Sequence, residues 1–385
     1  MERKLLMIPG PISFDPEVLR AQARPSLSHV EAEFGAIFGR ALRSLHQVFM
    51  CERGQPFVLA GSGTLAMEFV AANFVEPGDR AVVVDTGWFA QRYADILKRY
   101  TDDVELVSGD VGTVPPLEKV EAALQAKPAK MLTITQVDTS TGVLAPVKEL
   151  AVLARKHGAL SVVDGICATA ACEFRQDAWQ VDACFTGSQK AIGVPAGLGL
   201  IMLSAEAMQR FDQRQTPVPN YYCDIKNWLP VMQAYEQDKV AYFATPAVNL
   251  IYALDVSLQQ VLAEGMEPRF QRHHKLGSAF QEGMRALGLE LLARRGLEAP
   301  TISAMYYPEG VDAGLLSKVA ANGVTIAGGV LPGYAPKYFR VGHMGTCTPS
   351  DVLATIGAIE RGLLECGAKV QLGAGVAAAQ HVLSD

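Results

Sequence analysis

The chain has 385 residues, of which 49% are hydrophobic and 19% charged, enough for two or three domains with large buried cores. Its net charge is −6 and it has no basic stripe to neutralise phosphates, which argues against nucleic-acid binding. No apolar run is long enough to cross a membrane. The seven cysteines are scattered and the histidines show no metal-ligand spacing, so we expect reduced thiols, no metal site and a cytoplasmic location.

Short apolar runs alternate with helical patterns through the first two thirds of the chain. The predicted strands are residues 81–85, 104–107, 131–135, 160–163, 183–186 and 199–203. The predicted helices between them include residues 89–100, 117–126 and 147–157. This alternation predicts an α/β fold with a mostly parallel sheet covered on both faces. Ligands of such sheets bind beyond the carboxyl ends of the strands.

The pattern changes after Pro246, where a smaller α+β region begins. Long helices are predicted over residues 247–264 and 268–287, followed by strands at 301–307, 324–329 and 338–342 and by helices near 311–322 and 349–366. The tail from Gly367 is rich in Gly and Ala, and no element is assigned to it. We therefore predict one large α/β domain and one smaller C-terminal domain.

Lys190 is the only charged residue between Ala183 and Ser204, and its neighbours are small or apolar. Such surroundings disfavour the ammonium form, and a partly neutral lysine can form a Schiff base with a carbonyl compound. Asp164 ends the predicted strand before it. A Schiff-base lysine and an aspartate that pairs with the pyridinium nitrogen are the groups that pyridoxal phosphate (PLP) requires. Taken singly, Lys190 is equally consistent with a loop lysine, and Asp164 with a helix cap.

Two loops carry small and polar residues. The Gly-Ser-Gly-Thr run at residues 61–64 opens into a helix, where backbone N–H groups form an anion site, although such runs are also common in ordinary loops. The polar run at residues 136–142 follows Thr135 and suits a ring hydroxyl or a polar substrate group. Within that run, Asp138 is also suited to ordering the loop itself.

Three further side chains have a functional and a structural interpretation. Trp88 follows a strand and a glycine, where it would stack on an aromatic cofactor or belong to a core or interface. Arg340 lies on an apolar strand, where its guanidinium would bind a substrate carboxylate or form an internal salt bridge. Tyr242 and Thr245 would both reach a phosphate, or Thr245 would cap a helix that starts at Pro246.

Together these motifs resemble PLP-dependent enzymes of the aspartate aminotransferase fold (fold type I), in the class V branch that includes alanine–glyoxylate and serine–pyruvate aminotransferases. The motifs follow the order of that family from Pro-Gly-Pro at residues 9–11 to Arg-Val-Gly at residues 340–342. The resemblance implies a large domain with a mostly parallel seven-stranded sheet and a smaller C-terminal α+β domain. We assign residues 21–260 to the large PLP-binding domain, 261–385 to the small domain, and 1–20 to an N-terminal segment that packs with the small domain.

The resemblance also implies a role for each motif. Lys190 would hold PLP and move the proton, Asp164 would pair with the pyridinium nitrogen, Trp88 would stack on the ring and Thr139 would bond its hydroxyl. The phosphate would be bound by Ser62, Gly63, Thr64 and Gln189, and by Tyr242 and Thr245 from the neighbouring subunit, which implies a homodimer with shared active sites. Gly10 and Arg340 would bind the substrate. Many relatives carry His in place of Thr64 and Ser in place of Thr139, and both changes keep or add a hydroxyl.

The implied activity is a ping-pong transfer of the amino group from L-alanine to glyoxylate, giving pyruvate and glycine. Serine–glyoxylate, serine–pyruvate, ureidoglycine–glyoxylate and aminoethylphosphonate aminotransferases are the alternatives within the fold. A cysteine desulfurase would need a mobile catalytic cysteine, for which Cys347 is the candidate. A non-catalytic α/β binding module is the alternative outside the fold, and it would lack the yellow colour of bound PLP.

Overall fold

The computed structural model describes residues 4–384, which form two hydrophobic cores joined by a long helix. In chain order the strands are β1 (Leu5–Leu6), β2 (Gln55–Ala60), β3 (Arg80–Asp85), β4 (Asp103–Ser108), β5 (Met131–Thr135), β6 (Val137–Asp138), β7 (Val143–Leu144), β8 (Leu160–Asp164), β9 (Ala183–Gly187), β10 (Leu198–Leu203), β11 (Ile302–Tyr306), β12 (Val324–Thr325), β13 (Ala327–Gly328) and β14 (Tyr338–Gly342).

The helices alternate with these strands as far as residue 212 and then dominate the sequence up to residue 286. They are α1 (Pro16–Gln22), α2 (Ala32–Phe49), α3 (Gly63–Phe74), α4 (Trp88–Leu97), α5 (Leu117–Ala126), α6 (Val147–Lys156), α7 (Gln176–Trp179), α8 (Ala205–Asp212), α9 (Ile225–Glu236), α10 (Val248–Glu264), α11 (Met266–Ala286), α12 (Gly314–Ala321), α13 (Pro349–Glu365) and α14 (Ala374–Ser384). None of these helices is both long enough and apolar enough to cross a bilayer.

Seven strands form the central sheet, in the order β2-β10-β9-β8-β5-β3-β4. The five strands from β9 to β4 run parallel, whereas β10 runs antiparallel to both β9 and β2. The prediction of a mostly parallel sheet in an α/β fold is therefore confirmed. Strand β2 was absent from the sequence prediction, which assigned only the turn that follows it. Its side chains are almost all buried, as expected for a strand covered on both faces.

The register of the parallel strands determines where the site forms. Asp164, the last residue of β8, pairs with Thr135 on one side and with Phe185 on the other. The carboxyl ends of β5, β8 and β9 therefore meet at one edge of the sheet. Strand β9 ends at Gly187, so the loop that carries Lys190 leaves the sheet directly beside Asp164.

The C-terminal region has its own sheet, in the order β11-β14-β13, packed against α11 to α13. The strand predicted over residues 324–329 is in fact two short strands, because β12 pairs with the N-terminal strand β1 whereas β13 pairs with β14. Helix α11 contributes Met266 and Phe270 to the first core and Leu276 to the second. The division between the two cores thus falls within this helix.

The Gly- and Ala-rich tail forms helix α14, which the sequence analysis did not predict. Its small residues allow close packing on α11: a Cβ added to Gly375 would lie 2.9 Å from the carbonyl oxygen of Gly283. The buried carboxylate of Glu360 accepts hydrogen bonds from the N–H groups of Gly373 (2.8 Å) and Gly375 (2.9 Å) at the start of the helix. These N–H groups have no partner within the helix, so the carboxylate acts as its cap.

Candidate active site

Lys190 and Asp164 line one cavity, of about 120 Å³, at the carboxyl edge of the central sheet. The sequence predicted most of its polar lining, and the residues of the wall are Ser62, Gly63, Thr64, Met67, Phe89, Arg92, Val137, Thr139, Asp164, Ile166, Cys167, Gln189 and Lys190. They come from the loops after β2, β5, β8 and β9 and from the first turns of α3 and α4. The crossover connections of the sheet thus bring together residues that are far apart in the sequence.

Asp164 is 3% exposed, and its Oδ1 accepts a hydrogen bond from the N–H of Ile166 at 2.9 Å. Burial raises the pKa of this carboxyl to about 7, and the nearby Asp138 acts in the same direction. The Ile166 N–H and the cations of Lys190 and Arg92 oppose that rise. A cationic ring nitrogen beside Asp164 would favour its ionised form and lower this pKa.

The side chain of Lys190 lies against the N-terminal segment. Its Nζ donates a hydrogen bond to the carbonyl oxygen of Pro9. Gly10 has a φ of +115°, and a Cβ added there would lie 2.6 Å from Cδ and 2.7 Å from Nζ of the lysine. Only glycine accommodates both this backbone conformation and this approach. The N-terminal segment therefore closes the site on the side of the lysine amine.

The end of the cavity formed by the start of α3 is suited to an anion. Helix α3 begins at Gly63, so its first N–H groups point toward the cavity, and the side chain of Ser62 does not cap them. A Cβ added to Gly63 would lie 2.6 Å from Cδ1 of Ile166, so this position also requires glycine. Gln189 lines the same end, and its buried Oε1 has no hydrogen-bond partner in the described part of the chain.

Asp138 fixes the wall formed by α4. Its carboxylate accepts hydrogen bonds from the N–H groups of Phe89 (3.0 Å), Ala90 (3.3 Å) and Ser140 (2.9 Å). Asp138 therefore caps α4 and orders its own loop, which is the structural role considered for it above. The loop is also tied to the C-terminal region, because the Tyr338 hydroxyl donates to the carbonyl oxygen of Ser140 at 2.6 Å.

Arg340 lies at the edge of the site on β14 and is 8% exposed. Its guanidinium donates to the carbonyl oxygens of Gly328 (Nε, 2.7 Å) and Thr139 (Nη1, 3.2 Å), and Thr139 belongs to the cavity wall. Among residues 4–384 no carboxylate forms an ion pair with it, which excludes an internal salt bridge there. Burial lowers the pKa of this guanidinium, so an anionic ligand would relieve a real desolvation cost.

Comparison with known proteins identifies the family. Residues 17–339 match the sequence model of "Aminotransferase class-V". The chain belongs to the class V aminotransferases. It is 38% identical to alanine–glyoxylate aminotransferase 1 of Saccharomyces cerevisiae (88% of this chain, 91% of that one) and 34% identical to L-aspartate–glyoxylate aminotransferase of Paracoccus denitrificans (98% and 95%). The crystal structure of ureidoglycine–glyoxylate aminotransferase from Bacillus subtilis is 27% identical, with a TM-score of 0.92 over 100% of this chain and 99% of that one.

The aminotransferase is accordingly a PLP-dependent enzyme of fold type I that acts on amino acids and 2-oxo acids. The cavity fits this cofactor. Gly10 and Gly63 leave room where any Cβ would intrude, the N–H groups at the start of α3 are uncapped and available to an anion, and Lys190 and Asp164 supply the amine and the acid.

The aminotransferase differs from the sequence prediction in the aromatic wall of its site. Phe89, which the prediction missed, lines the cavity, whereas Trp88 does not. The indole of Trp88 packs instead with the apolar cluster around Leu331 and Tyr338 in the C-terminal region. Both aromatic residues lie in the first turn of α4, where neighbouring side chains differ in direction by about 100°. Ser140 and Asp138 accept the N–H groups at the start of this helix, from Trp88 and from Phe89 respectively.

Tyr242 and Thr245 do not line this cavity. Both side chains are exposed, and the ring of Tyr242 lies 5.1 Å from that of His29. The structure also excludes the capping role considered for Thr245, because α10 begins at Val248 with Ala247 as its N-cap residue.

Two further observations concern competing sites. Cys347 is buried in the second core, and burial raises the pKa of its thiol to about 12, the opposite of what a desulfurase cysteine needs. A larger cavity, of about 660 Å³, lies between α6 and α11 and is lined in part by Trp179 and Phe270. Its lining has no lysine–aspartate pair of the kind that PLP requires, so the smaller cavity is the candidate active site.

Proposed function

We propose that this aminotransferase transfers the amino group of L-alanine to glyoxylate, with Lys190 as the catalytic base and acid. The observation that supports it most directly is the arrangement of Lys190 and Asp164 in one buried cavity, with the unpaired guanidinium of Arg340 at its edge. PLP, when bound, joins its aldehyde to a lysine and withdraws electrons from the α-carbon of the substrate.

The remaining residues hold the cofactor in this proposal. Asp164 would keep the ring nitrogen protonated, and the anion-binding end of the cavity (Ser62, Gly63, Thr64 and Gln189) would bind the phosphate. Thr139 would accept or donate at the ring hydroxyl. Phe89 takes the stacking role that the sequence suggested for Trp88, because its ring lies in the cavity wall.

Lys190 moves the proton in this mechanism. Of the residues that line the described cavity, none is a histidine, and the lysine amine is the base on the side closed by Gly10. Its bond to the Pro9 carbonyl oxygen keeps Nζ at the mouth of the cavity. A single amine that first removes a proton and later returns it satisfies the need for general acid–base catalysis without a second residue.

Arg340 would bind the carboxylate that both substrates carry. Its planar fork has donors beyond those used for the Gly328 and Thr139 carbonyl oxygens, and a carboxylate matches that geometry. The same contact serves both half-reactions, since amino acid and 2-oxo acid share this group. The reaction is therefore expected to be ping-pong, with both substrates using one site in turn.

A small neutral donor and glyoxylate are favoured by two observations. The relatives named above have glyoxylate in their names, with alanine in that of the yeast enzyme at 38% identity. The second cation in the cavity wall, Arg92, lies over the ring of Phe89, with its Cζ 4.8 Å from the ring centroid. Its guanidinium is thus already engaged with an aromatic ring, which favours a neutral donor side chain over an acidic one. Serine and ureidoglycine remain the donors to compare.

We also propose a homodimer in which each subunit completes the other's phosphate site. Tyr242 is 62% exposed and the nearby Tyr221 80% exposed, although both are large aromatic side chains. Together with the exposed hydroxyl of Thr245 they form a surface suited to a second copy of the chain. Chemical crosslinking and sedimentation would test the dimer, and Tyr242→Ala should weaken PLP binding only if the surface is shared.

An absorbance experiment tests the function directly. The band of protein-bound PLP should fade when L-alanine is added and return with glyoxylate. Lys190→Ala should bind PLP without turnover, and Lys119→Ala, an exposed lysine bonded to the Ser108 carbonyl oxygen, is the matched control. Arg340→Gln should raise the KM of both substrates about 100-fold or more, since an ion pair is lost. A band that alanine leaves unchanged, but that serine, aspartate or ureidoglycine bleaches, would overturn the choice of donor.

A further inference from the structure

Arg269, at the start of α11, is 7% exposed and contacts two loops of the active site. Its Nε donates to the carbonyl oxygen of Ala170 at 2.6 Å, and its Nη2 donates to that of Ala191 at 2.8 Å. Ala191 directly follows Lys190, and Ala170 lies in the loop that follows Asp164. One guanidinium thus spans the two segments that carry the lysine and the acid.

The charge of Arg269 is balanced within the same helix junction. Its Nη1 donates to Oε2 of Glu264 at 2.6 Å, and Glu264 also binds Arg272 through both of its oxygens (2.6 and 3.1 Å). A buried arginine with an acid and two carbonyl partners has its desolvation cost offset. Because Arg272 remains beside Glu264, removal of Arg269 does not leave that acid unpaired. The carbonyl contacts can therefore be removed without leaving a buried acid unpaired.

The loop held by Arg269 is backbone-strained. Ala170 has a φ of +64°, a conformation that costs a non-glycine residue about 1 kcal/mol or more. Its carbonyl oxygen accepts one of the two shortest Arg269 hydrogen bonds, at 2.6 Å. A strained backbone conformation persists when the surrounding contacts hold it in place, and this charge-assisted hydrogen bond is one such contact.

We propose that Arg269 is a positioning residue for the transamination, fixing the loop of Lys190 relative to the loop that follows Asp164. The lysine amine is carried on a flexible side chain, so its placement depends on a rigid backbone at residues 190 and 191. Arg269 supplies that rigidity from the helix that joins the two cores. The inference rests on the proposed role of Lys190.

The test compares three variants of the PLP-loaded enzyme. Arg269→Met removes every contact, Arg269→Lys keeps the charge beside Glu264 but cannot span both carbonyl oxygens, and Arg285→Met is the control. Arg285 lies on the same helix, and its hydrogen bonds go to Glu282 and Glu298 rather than to the loop of Lys190 or the loop that follows Asp164. Measurements are the rate at which alanine bleaches the PLP band, the KM for alanine, the thermal midpoint, and hydrogen exchange of residues 188–193 without PLP.

Arg269→Met is expected to slow the alanine half-reaction about 10- to 100-fold, as for a displacement of about 1 Å, with KM within about twofold. Hydrogen exchange at residues 188–193 should rise in the PLP-free protein. Arg269→Lys should recover the thermal midpoint but not the rate, and Arg285→Met should lower the midpoint at unchanged rate. Two results would show that Arg269 only stabilises the fold through its ion pair. One is recovery of the rate by Arg269→Lys, and the other is equal rate losses in Arg269→Met and Arg285→Met.

An error in the assignment of Lys190 can be distinguished from an error in the role of Arg269. Borohydride treatment of the wild-type enzyme should attach PLP to the peptide that contains Lys190. If PLP is trapped elsewhere, the assignment of Lys190 is wrong whatever the Arg269 variants do. If PLP is trapped at Lys190 while Arg269→Met folds, exchanges and reacts as wild type, only the positioning role is refuted.

Discussion

Asp164→Asn should stabilise the PLP-free enzyme at neutral and alkaline pH while destroying its function. The carboxyl is buried with Asp138 nearby, and Lys190 and Arg92 compensate only in part, so its pKa rises from the ordinary 3.8 to about 7. A carboxyl whose pKa is raised by folding binds more protons in the folded state than in the unfolded state. Its contribution to stability is therefore fully present below pH 4 and is lost as the pH rises through 7.

The magnitude follows from the two pKa values. Each pKa unit corresponds to about 1.36 kcal/mol, so ionising Asp164 costs the PLP-free protein about 4 kcal/mol above pH 8. About 2–3 kcal/mol of that cost develops between pH 5 and pH 8. Asparagine carries no charge and keeps an oxygen for the Ile166 N–H, but its amide needs an acceptor, a cost of about 1–3 kcal/mol. The change in this stability difference with pH is therefore easier to interpret than its absolute value.

The assay is urea unfolding of PLP-free wild type and Asp164→Asn at pH 5 and pH 8. The difference in the free energy of unfolding between variant and wild type should grow by about 2–3 kcal/mol in favour of the variant between these pH values. Other titrating groups are common to both proteins and largely cancel. If the difference is the same at both pH values, the pKa of Asp164 is not raised and the reasoning fails. With saturating PLP the wild type should become more stable than the variant, because only the aspartate pairs with a ring cation.

Three further substitutions test the geometry of the site and of the tail. Phe89→Ala should weaken PLP binding about tenfold in an absorbance titration. Trp88→Ala should keep the affinity within about twofold and lower the thermal midpoint. A larger loss of affinity in Trp88→Ala than in Phe89→Ala would show that the tryptophan is the stacking residue. Gly10→Ala should lower kcat at least about 100-fold. The control is Gly78→Ala, which should lower only stability, because Gly78 has a positive φ of +89° but open space around it. Equal kcat values in the two variants would refute the close approach of Gly10 to the lysine. Gly375→Ala should destabilise the enzyme by about 1–3 kcal/mol in urea unfolding, and an unchanged midpoint would show that helix α14 does not pack as described.

The sheet and its ligand-binding edge were predictable because the signals are local. Apolar runs between amphipathic helices indicate parallel strands, and parallel strands place their carboxyl ends along one edge. Asp164 and the loop of Lys190 follow neighbouring strands, so their meeting in one cavity follows from topology. The division between β12 and β13 was not predictable, because it depends on which remote strand each backbone segment joins.

The sequence by itself determined the fold class, the lysine–aspartate pair, the glycine-rich start of α3 and the isolated Arg340, since each depends on residue type and order along the chain. Tertiary structure alone decided that Phe89 rather than Trp88 lines the cavity, because Trp88 packs against the apolar cluster of the C-terminal region. It alone showed that the small residues of the tail form a helix against α11. It also brought Arg269 to the loops of Lys190 and Asp164. Such contacts join residues distant in the chain, and no local pattern encodes the geometry in which they meet.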